Sequence, residues 1–327
     1  MKFLNQLTLT RFARFSGIAL LAGGCGISNL HAAEAQAAQW LFASPDDAVT
    51  ALRAATEAKD KAALCEIFGP QYKELSTGDA VQDADNAKGF AAEMAQGCNA
   101  VKDGEDKITL EVGTNGWPFP IPLVKADGQW HFDTAAGKEE IINRHIGKDE
   151  LHAISVCRAY VTAQKQYADA NMKAGGGANY ALKFKSSSGM RDGLYWPTAA
   201  NEPASPFGPL VAEAHTEGYG KGGNTGLHAF HGYYFRILTG QGAAAPSGKI
   251  DYLSGGILSG GYALVAYPEV WDQSGIMTFI VNQDGKVYQA NLGANSAATA
   301  SAMKEYNPDS AWTLVEDVGV VNVVSER

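Results

Sequence analysis

The sequence predicts an α+β protein built from two successive domains. In each half of the chain, apolar residues first recur at helical spacing and then alternate with polar residues, which is typical of half-buried strands. At 327 residues, the chain is long enough for two domains that each bury a core. We expect helices and a curved antiparallel sheet over residues 43–146, and a long helix packed on an antiparallel sheet over residues 147–327.

Helix-capping residues mark the start of the first domain. Ser44 is a typical helix cap, Pro45 suits the first helical position, and Asp47 favours the positive end of the helix. Two further helices are expected from Asp60 and from about Asp85. The pattern then predicts strands at residues 107–112, from 123 and at 129–132, an Asp127-Gly128 hairpin turn, and a short closing helix at residues 139–145.

Three prolines distinguish the segment between the first two of these strands. Pro118, Pro120 and Pro122 fall on one side of an extended chain, so that side has no backbone donors. We expect an edge strand that is protected against further pairing. The alternative is a polyproline-type ligand for an aromatic groove.

The second domain is predicted to begin with a long helix that Asp149 caps and that reaches to about Met172. Residues 171–230 follow as a long glycine-rich loop. It is too long for a plain connector, so we expect a binding loop or an elaborated insertion. Strands return between residues 232 and 290. Within them, Asn282-Gln-Asp-Gly is expected to be a hairpin turn, because the further oxygen ligands of a calcium loop are missing.

The first 37 residues have the pattern of a secretory signal peptide. Arg11 and Arg14 belong to a basic region, residues 15–27 are apolar, and small residues follow up to Ala37. The apolar run is shorter than the ~18–20 residues of a membrane span. We therefore expect a cleaved signal, a periplasmic or exported protein, and no membrane span in the mature chain. The alternative is a lipoprotein anchored at Cys25, although Ala22 stands where the lipoprotein pattern has a larger aliphatic residue.

The charge of the chain argues against nucleic acid as a partner. Cleavage after Ala37 would reduce the 26 basic residues to 23 and the 35 acidic residues to 34, which leaves a net charge of −11. Such a surface repels phosphate backbones, and no basic stripe compensates for it.

Four stretches of the chain resemble one uncharacterised bacterial family, the domain of unknown function 2950. They are residues 117–168, which begin WPFPIPLVKADGQWHF, and the segments RDGLYWP at 191–197, HGYYFRILTGQG at 231–242 and GIMTFIVNQDGKVYQANLG at 275–293. The resemblance covers nearly the whole mature chain. It implies no activity, because none is established for the family.

Two weaker resemblances concern the halves of the chain. The helices and curved sheet of the first half are similar to the nuclear-transport-factor-2-like cone. The long helix and the pattern GxxTFxVxxDGxVY of the second half are similar to type IV pilin and pseudopilin heads. The segment after Gly147 is too polar for a pilin's membrane spine. The second resemblance therefore implies a soluble module that contacts a pilus-like or secretion assembly.

The strongest binding signal lies in the glycine-rich loop. Arg191 and Asp192 stand beside Tyr195 and Trp196, and arginine and aromatic rings are favoured anchors for proteins and sugars. His231 and Tyr233, at the start of an aromatic strand, complete the predicted binding residues. The alternative is that the two rings of the loop only pin it to the sheet.

Histidine and cysteine give weaker candidates. His215, His228 and His231 could bind a transition metal through neutral imidazoles, although a structural role is the commoner one for such histidines. Cys65 and Cys98 are predicted to form a disulfide, since both lie in the first domain of an exported protein. Cys157 is expected to be a buried free thiol.

No catalytic or cofactor-binding motif stands out. Neither Walker nor dinucleotide spacing occurs in the glycine-rich stretches, and the serines lack the Gly-x-Ser-x-Gly elbow. We therefore predict no cofactor and a non-catalytic scaffold or binding module of the cell envelope, with a protein partner. The alternative is a periplasmic hydrolase or a protein that binds a small ligand or a metal.

Overall fold

The computed structural model describes residues 39–219 and 229–316. The predicted signal peptide, the cysteine at position 25 and His228 lie outside these ranges. The described residues belong to one compact unit, Ala37–Arg327, and they combine helices with antiparallel sheets. The predicted α+β class is confirmed.

Helices form the beginning of the described chain, and carboxylate or hydroxyl caps start them. The Ser44 hydroxyl accepts from the Asp47 N–H, while Asp60 and Asp79 each accept two N–H groups of the turn that follows. The elements are α1 (Pro45–Ala58), α2 (Lys61–Phe68), a 3-10 helix (Gly69–Leu75) and α3 (Ala80–Gln96). The third helix begins one turn before its predicted start.

An antiparallel sheet follows, and its inner face meets the helices. Its strands are β1 (Cys98–Lys102), β2 (Lys107–Val112), β3 (Trp117–Pro118), β4 (Leu123–Ala126) and β5 (Gln129–Phe132). They lie in the order β1-β2-β4-β5, with the proline-containing β3 also on β2. Leu110, Leu123 and Phe132 are fully buried in a core that they share with Leu52 of α1 and Met94 of α3.

One unbroken helix joins this core to the rest of the protein. Helix α4 (Thr134–Lys173) has 40 residues and is capped by Asp133, whose carboxylate accepts from the Ala136 N–H. The predicted break between a short helix and a helix capped by Asp149 is wrong. Gly147 is the only glycine between the two predicted helices, and one glycine costs a helix about 1 kcal/mol, too little to end it.

The second half of the chain packs a larger sheet on α4. Its elements are α5 (Gly208–Glu217), β6 (Tyr233–Leu238), β7 (Gly240–Gln241), β8 (Ile250–Asp251), β9 (Leu253–Ser254), β10 (Ile257–Leu258), β11 (Ala263–Pro268), β12 (Thr278–Asn282), β13 (Val287–Ala290), a 3-10 helix (Gly293–Asn295), α6 (Ser296–Ala302), β14 (Glu305–Tyr306) and β15 (Thr313–Leu314). The main sheet is antiparallel in the order β15-β13-β12-β11-β6. Three short strands form a second sheet, β14-β7-β8, and β9 pairs with β10.

Hydrogen bonds as well as apolar contacts hold the main sheet to α4. The Tyr160 hydroxyl donates to the Ala263 carbonyl at 3.2 Å. Farther towards the N-terminus of the helix, one carboxylate oxygen of Glu150 accepts from the N–H groups of Ile276 and Met277, both at 2.9 Å. These residues precede β12, so the helix fixes the position at which that strand begins.

The turn between β12 and β13 is the predicted hairpin. Asn282 Oδ1 accepts from the Asp284 N–H, and Gly285 has a φ of 77°. The two strands pair from Thr278 with Ala290 to Val281 with Val287. The Asn-Gln-Asp-Gly stretch therefore shapes the sheet.

Within the described ranges, no helix is both long and apolar enough to cross a membrane. The division of the chain into domains at residues 146 and 147 stays a prediction, and this boundary falls inside α4.

Two glycines of α4 give a matched test of its packing. A Cβ atom at Gly137 would lie 2.5 Å from Cγ1 of Ile121, whereas a Cβ at the exposed Gly147 meets nothing within 4 Å. We expect Gly137→Ala to lower the free energy of unfolding by about 1–3 kcal/mol through overpacking. Gly147→Ala should raise it by about 1 kcal/mol through helix propensity. Urea unfolding measures both, and equal stabilisation by the two changes would contradict the close approach at Gly137.

Candidate metal centre

A row of polar side chains lies on the buried face of α4. His145, Asp149 and His152 are spaced four and three residues apart, which places them one above another on the same face of a helix. The Asp149 side chain is fully buried, and that of His145 is 3% exposed. Charged groups are rarely buried to this extent unless they are paired or bind a metal.

A tight turn brings a fourth side chain to this row. His231 and Gly232 have φ values of 45° and 65°, and Phe230 and Tyr233 on either side exchange both backbone hydrogen bonds. Positive φ at both central positions is the requirement of a type I′ hairpin turn. The turn lays the His231 ring against that of His152, with 3.8 Å between the ring centroids. We call His145, Asp149, His152 and His231 the His–Asp cluster.

Three members of the His–Asp cluster have the arrangement of a metal site. Asp149, His152 and His231 each offer one ligand atom, and these atoms lie within 4.8 Å of one another. Two imidazoles and one carboxylate are a common set for zinc and for non-haem iron, and both sets leave positions open for further ligands.

Several buried polar atoms of the cluster lack a partner among the described residues. One carboxylate oxygen of Asp149, Oδ1, accepts from the Gln82 side-chain amide at 2.7 Å. The other, Oδ2, lies 3.2 Å from His145 Nε2 but at an angle that makes no hydrogen bond. The Nδ1 atoms of His145 and His152 are also without a hydrogen bond. Each such atom costs roughly 1–3 kcal/mol, a cost that a bound cation would offset.

Helix α5 and the residues after it supply a second layer of contacts. A Glu217 carboxylate oxygen lies 2.9 Å from His231 Nε2, on the side of the ring opposite Nδ1. The Tyr219 hydroxyl lies 3.3 Å from His231 Nδ1 and donates to Asp79 at 2.6 Å. Asp79 is the residue that caps α3, so the cluster connects three helices and one turn.

Burial sets the electrostatics of the cluster. It raises the pKa of Asp149 to about 7, against the lowering effect of the Gln82 hydrogen bond. It also lowers the pKa of His152 and of His231 to about 4 and that of His145 below its ordinary value. The three histidines are therefore neutral near pH 7, which is the form of imidazole that binds metals.

The predicted metal-binding histidines do not all lie at the cluster. His231 belongs to the cluster, but His215 is exposed on α5, and His228 lies outside the described residues. The ligands that join His231 are Asp149 and His152, which sequence reasoning missed because Asp149 was assigned to a helix cap. The Asp-x-x-His spacing at 149–152 was the available signal, since it places two ligands on one helix face.

The other predicted binding residues lie in separate surroundings. Tyr233 is fully buried in the core, where its hydroxyl donates to the Met277 carbonyl at 2.8 Å. Asp192 pairs with Lys183 and accepts from Ser187, and these partners lower the pKa of its carboxyl to about 2. Tyr195 forms a β-bridge with Lys185.

Arg191 and Trp196 form a surface pair. The Arg191 guanidinium stacks over the Trp196 ring at 5.3 Å and lies 3.7 Å from the Glu202 carboxylate. The Trp196 ring is half-buried, and its neighbour in the loop, Met190, is 60% exposed. Arginine and an aromatic ring thus lie together at the surface, and a role of this pair in binding stays a prediction.

The predicted disulfide is not formed in the structure. Cys65 of α2 and Cys98 of β1 are free, half-buried thiols, and Cys157 is a buried free thiol, as expected for it. Burial raises the pKa of the Cys98 thiol, against the lowering effect of Arg53, and raises that of Cys157 to about 12. A raised pKa makes Cys98 and Cys157 poor nucleophiles.

Gly232 provides a test of how closely the turn approaches α4. A Cβ atom there would lie 2.3 Å from Asp149 Oδ2 and 2.6 Å from Ser274 Cβ. Gly248 has a similar φ of 73° with open space around it, so Gly248→Ala measures the cost of the backbone conformation alone, about 1–2 kcal/mol. We expect Gly232→Ala to lower the free energy of unfolding by about 1–3 kcal/mol more than this control in urea titrations. Equal losses would contradict the packing of the turn on Asp149.

Comparison with known proteins places the chain in a family without giving it an activity. No curated protein and no solved structure matches the chain. The predicted likenesses to a nuclear-transport-factor-2-like cone and to pilin heads therefore stay predictions. Residues 39–315, which include the whole His–Asp cluster, match the model of the family described as "Protein of unknown function (DUF2950)". The chain belongs to this family.

Proposed function

We propose that the protein binds a divalent first-row transition metal through Asp149, His152 and His231. The observation that carries the proposal is the convergence of the three ligand atoms within 4.8 Å, with Asp149 and His231 buried and His152 half-buried. Asp149 Oδ2 and His152 Nδ1 have no hydrogen bond among the described residues, so neither atom has to lose a partner when a cation binds. A borderline ion such as Zn²⁺ suits a mixed imidazole and carboxylate set.

The groups around the ligands support the same function. Histidines that bind metals commonly donate their other ring N–H to a carboxylate, which fixes the ring and its tautomer. Glu217 stands in this position relative to His231, and Gln82 holds the Asp149 carboxylate through Oδ1. Both ligands are thus oriented before any metal binds, which reduces the loss of side-chain entropy on binding.

Substitution of His231 tests the proposal. We expect His231→Asn to weaken Zn²⁺ binding by more than about tenfold, because a ligand is lost while asparagine tolerates the positive φ of the turn. His215→Asn is the matched control, since His215 is an exposed histidine of α5, and it should leave the affinity unchanged. Calorimetric titration of the purified protein with Zn²⁺ measures both.

Two outcomes would contradict the metal function. One is the absence of stoichiometric Zn²⁺ or Co²⁺ binding by the unsubstituted protein, and the other is equal affinity in His231→Asn and His215→Asn. A thermal scan adds an independent reading. Metal at about 100 times its dissociation constant stabilises a folded protein by about 2.7 kcal/mol, so Zn²⁺ should raise the melting temperature of the control variant.

We also propose an exported protein of the cell envelope that binds a protein partner, in line with the signal-like N-terminus. The observation that favours a partner is the exposed group of Met190 with the stacked Arg191 and Trp196, residue types that are enriched in binding hot spots. A pilus-like or secretion assembly is the partner class that the likeness to pilin heads suggests.

Affinity purification from gently cross-linked envelopes tests export and partner together. We expect Arg191→Ala to reduce recovery of a co-purifying chain severalfold while thermal stability changes little. Lys125→Ala is the matched control, because Lys125 is another cation over a tryptophan, at 5.9 Å from the Trp130 ring. Absence of the protein from the envelope fraction would contradict export, and equal recovery with both variants would contradict a role of Arg191 in partner binding.

A further inference from the structure

Tyr219 lies beside the proposed metal ligands, one residue beyond the glycine that ends α5. Gly218 ends the helix with a φ of 116°, and the Tyr219 ring then packs on Phe230 and His231 at centroid distances of 5.2 and 4.9 Å. The ring is half-buried, and its hydroxyl points at His231 Nδ1 and Asp79.

The hydroxyl proton of Tyr219 and the ring proton of His231 each belong to a hydrogen bond with a carboxylate. Asp79 accepts the only proton of the Tyr219 hydroxyl at 2.6 Å. The contact between Glu217 and His231 Nε2 assigns the single proton of the neutral imidazole to that nitrogen. His231 Nδ1 and the Tyr219 oxygen then face each other with lone pairs at 3.3 Å. Two acceptors at this distance repel each other unless a cation lies between them.

The spacing of the two atoms also suits a shared metal ion. Ligands at about 2.0–2.1 Å from a tetrahedral metal lie about 3.4 Å from each other. The separation of 3.3 Å between His231 Nδ1 and the Tyr219 oxygen is close to that edge of a tetrahedron.

We infer that Tyr219 is the fourth ligand of the metal centre, which completes a tetrahedral set with Asp149, His152 and His231. This inference rests on the metal function proposed above. Coordination forms a bond from the tyrosine oxygen to the metal and releases the hydroxyl proton to solvent, with the half-buried Asp79 carboxylate as the first acceptor on its way. The centre then holds two neutral imidazoles and two anionic oxygens, whose charge balances that of a divalent ion such as Zn²⁺.

Substitution of Tyr219 and near-ultraviolet difference spectroscopy test the inference. Zn²⁺ added to the unsubstituted full-length chain should produce tyrosinate absorption at a stoichiometry of one, and this signal should be absent in Tyr219→Phe. The variant should also bind Zn²⁺ more than about tenfold more weakly and shift the visible spectrum of bound Co²⁺. Tyr234→Phe is the matched control, because the Tyr234 hydroxyl also donates to a carboxylate, that of Glu269 at 2.8 Å, on the surface.

The outcomes separate this inference from the metal function. Zn²⁺ binding without a tyrosinate signal would overturn Tyr219 as a ligand and leave the metal function standing, even if Tyr219→Phe binds more weakly. A tyrosinate signal that persists in Tyr219→Phe would overturn it as well. No Zn²⁺ or Co²⁺ binding by the unsubstituted chain would overturn both proposals.

Discussion

Helix α4 contributes side chains to both hydrophobic cores, and the other elements take their places around it. Ile141 packs against the core of the first sheet, while Ala153, Cys157 and Tyr160 belong to the core of the second. A helix of 40 residues spans about 60 Å, and this one reaches from one core to the other without a break. The close contact of Gly137 with Ile121 and the Glu150 hydrogen bonds before β12 fix its position at separate points along its length.

Three members of the His–Asp cluster, His145, Asp149 and His152, lie on α4 between the residues that serve the two cores. Asp149 is reached by Gln82 from α3 on one side and by the His231 turn on the other, so elements distant in sequence meet there. A protein that needed only a stable junction would gain more from apolar side chains than from unpaired buried polar atoms. The cluster thus costs stability, which is typical of groups retained for function.

Binding of a metal would make this junction stronger. The proposed ligands come from α4, from the turn before β6 and from the end of α5. A cation that holds all of them would link three separate segments of the chain. Phe207, which precedes α5, and Leu210 within it attach the start of this helix to the core, and Tyr219 attaches its end to Asp79. Ligand binding to the folded state alone stabilises it by mass action, and we expect this part of the chain to gain most.

Local patterns in the sequence determined the α+β class, the capped starts of α1 and α2, the Asn282–Gly285 hairpin and the family. These features depend on neighbours a few residues away, whether a capping hydroxyl, a period of two or a glycine with positive φ. The continuity of α4 and the metal centre were decided by tertiary structure. Packing on two cores overrides the weak helix-breaking tendency around Gly147, and the pairing of Asp149 and His152 with His231 depends on a turn that folds back across some 80 residues of sequence. His231 itself was a sequence candidate, and the Asp-x-x-His spacing was a signal for Asp149 and His152, but only the folded chain shows that the three residues meet.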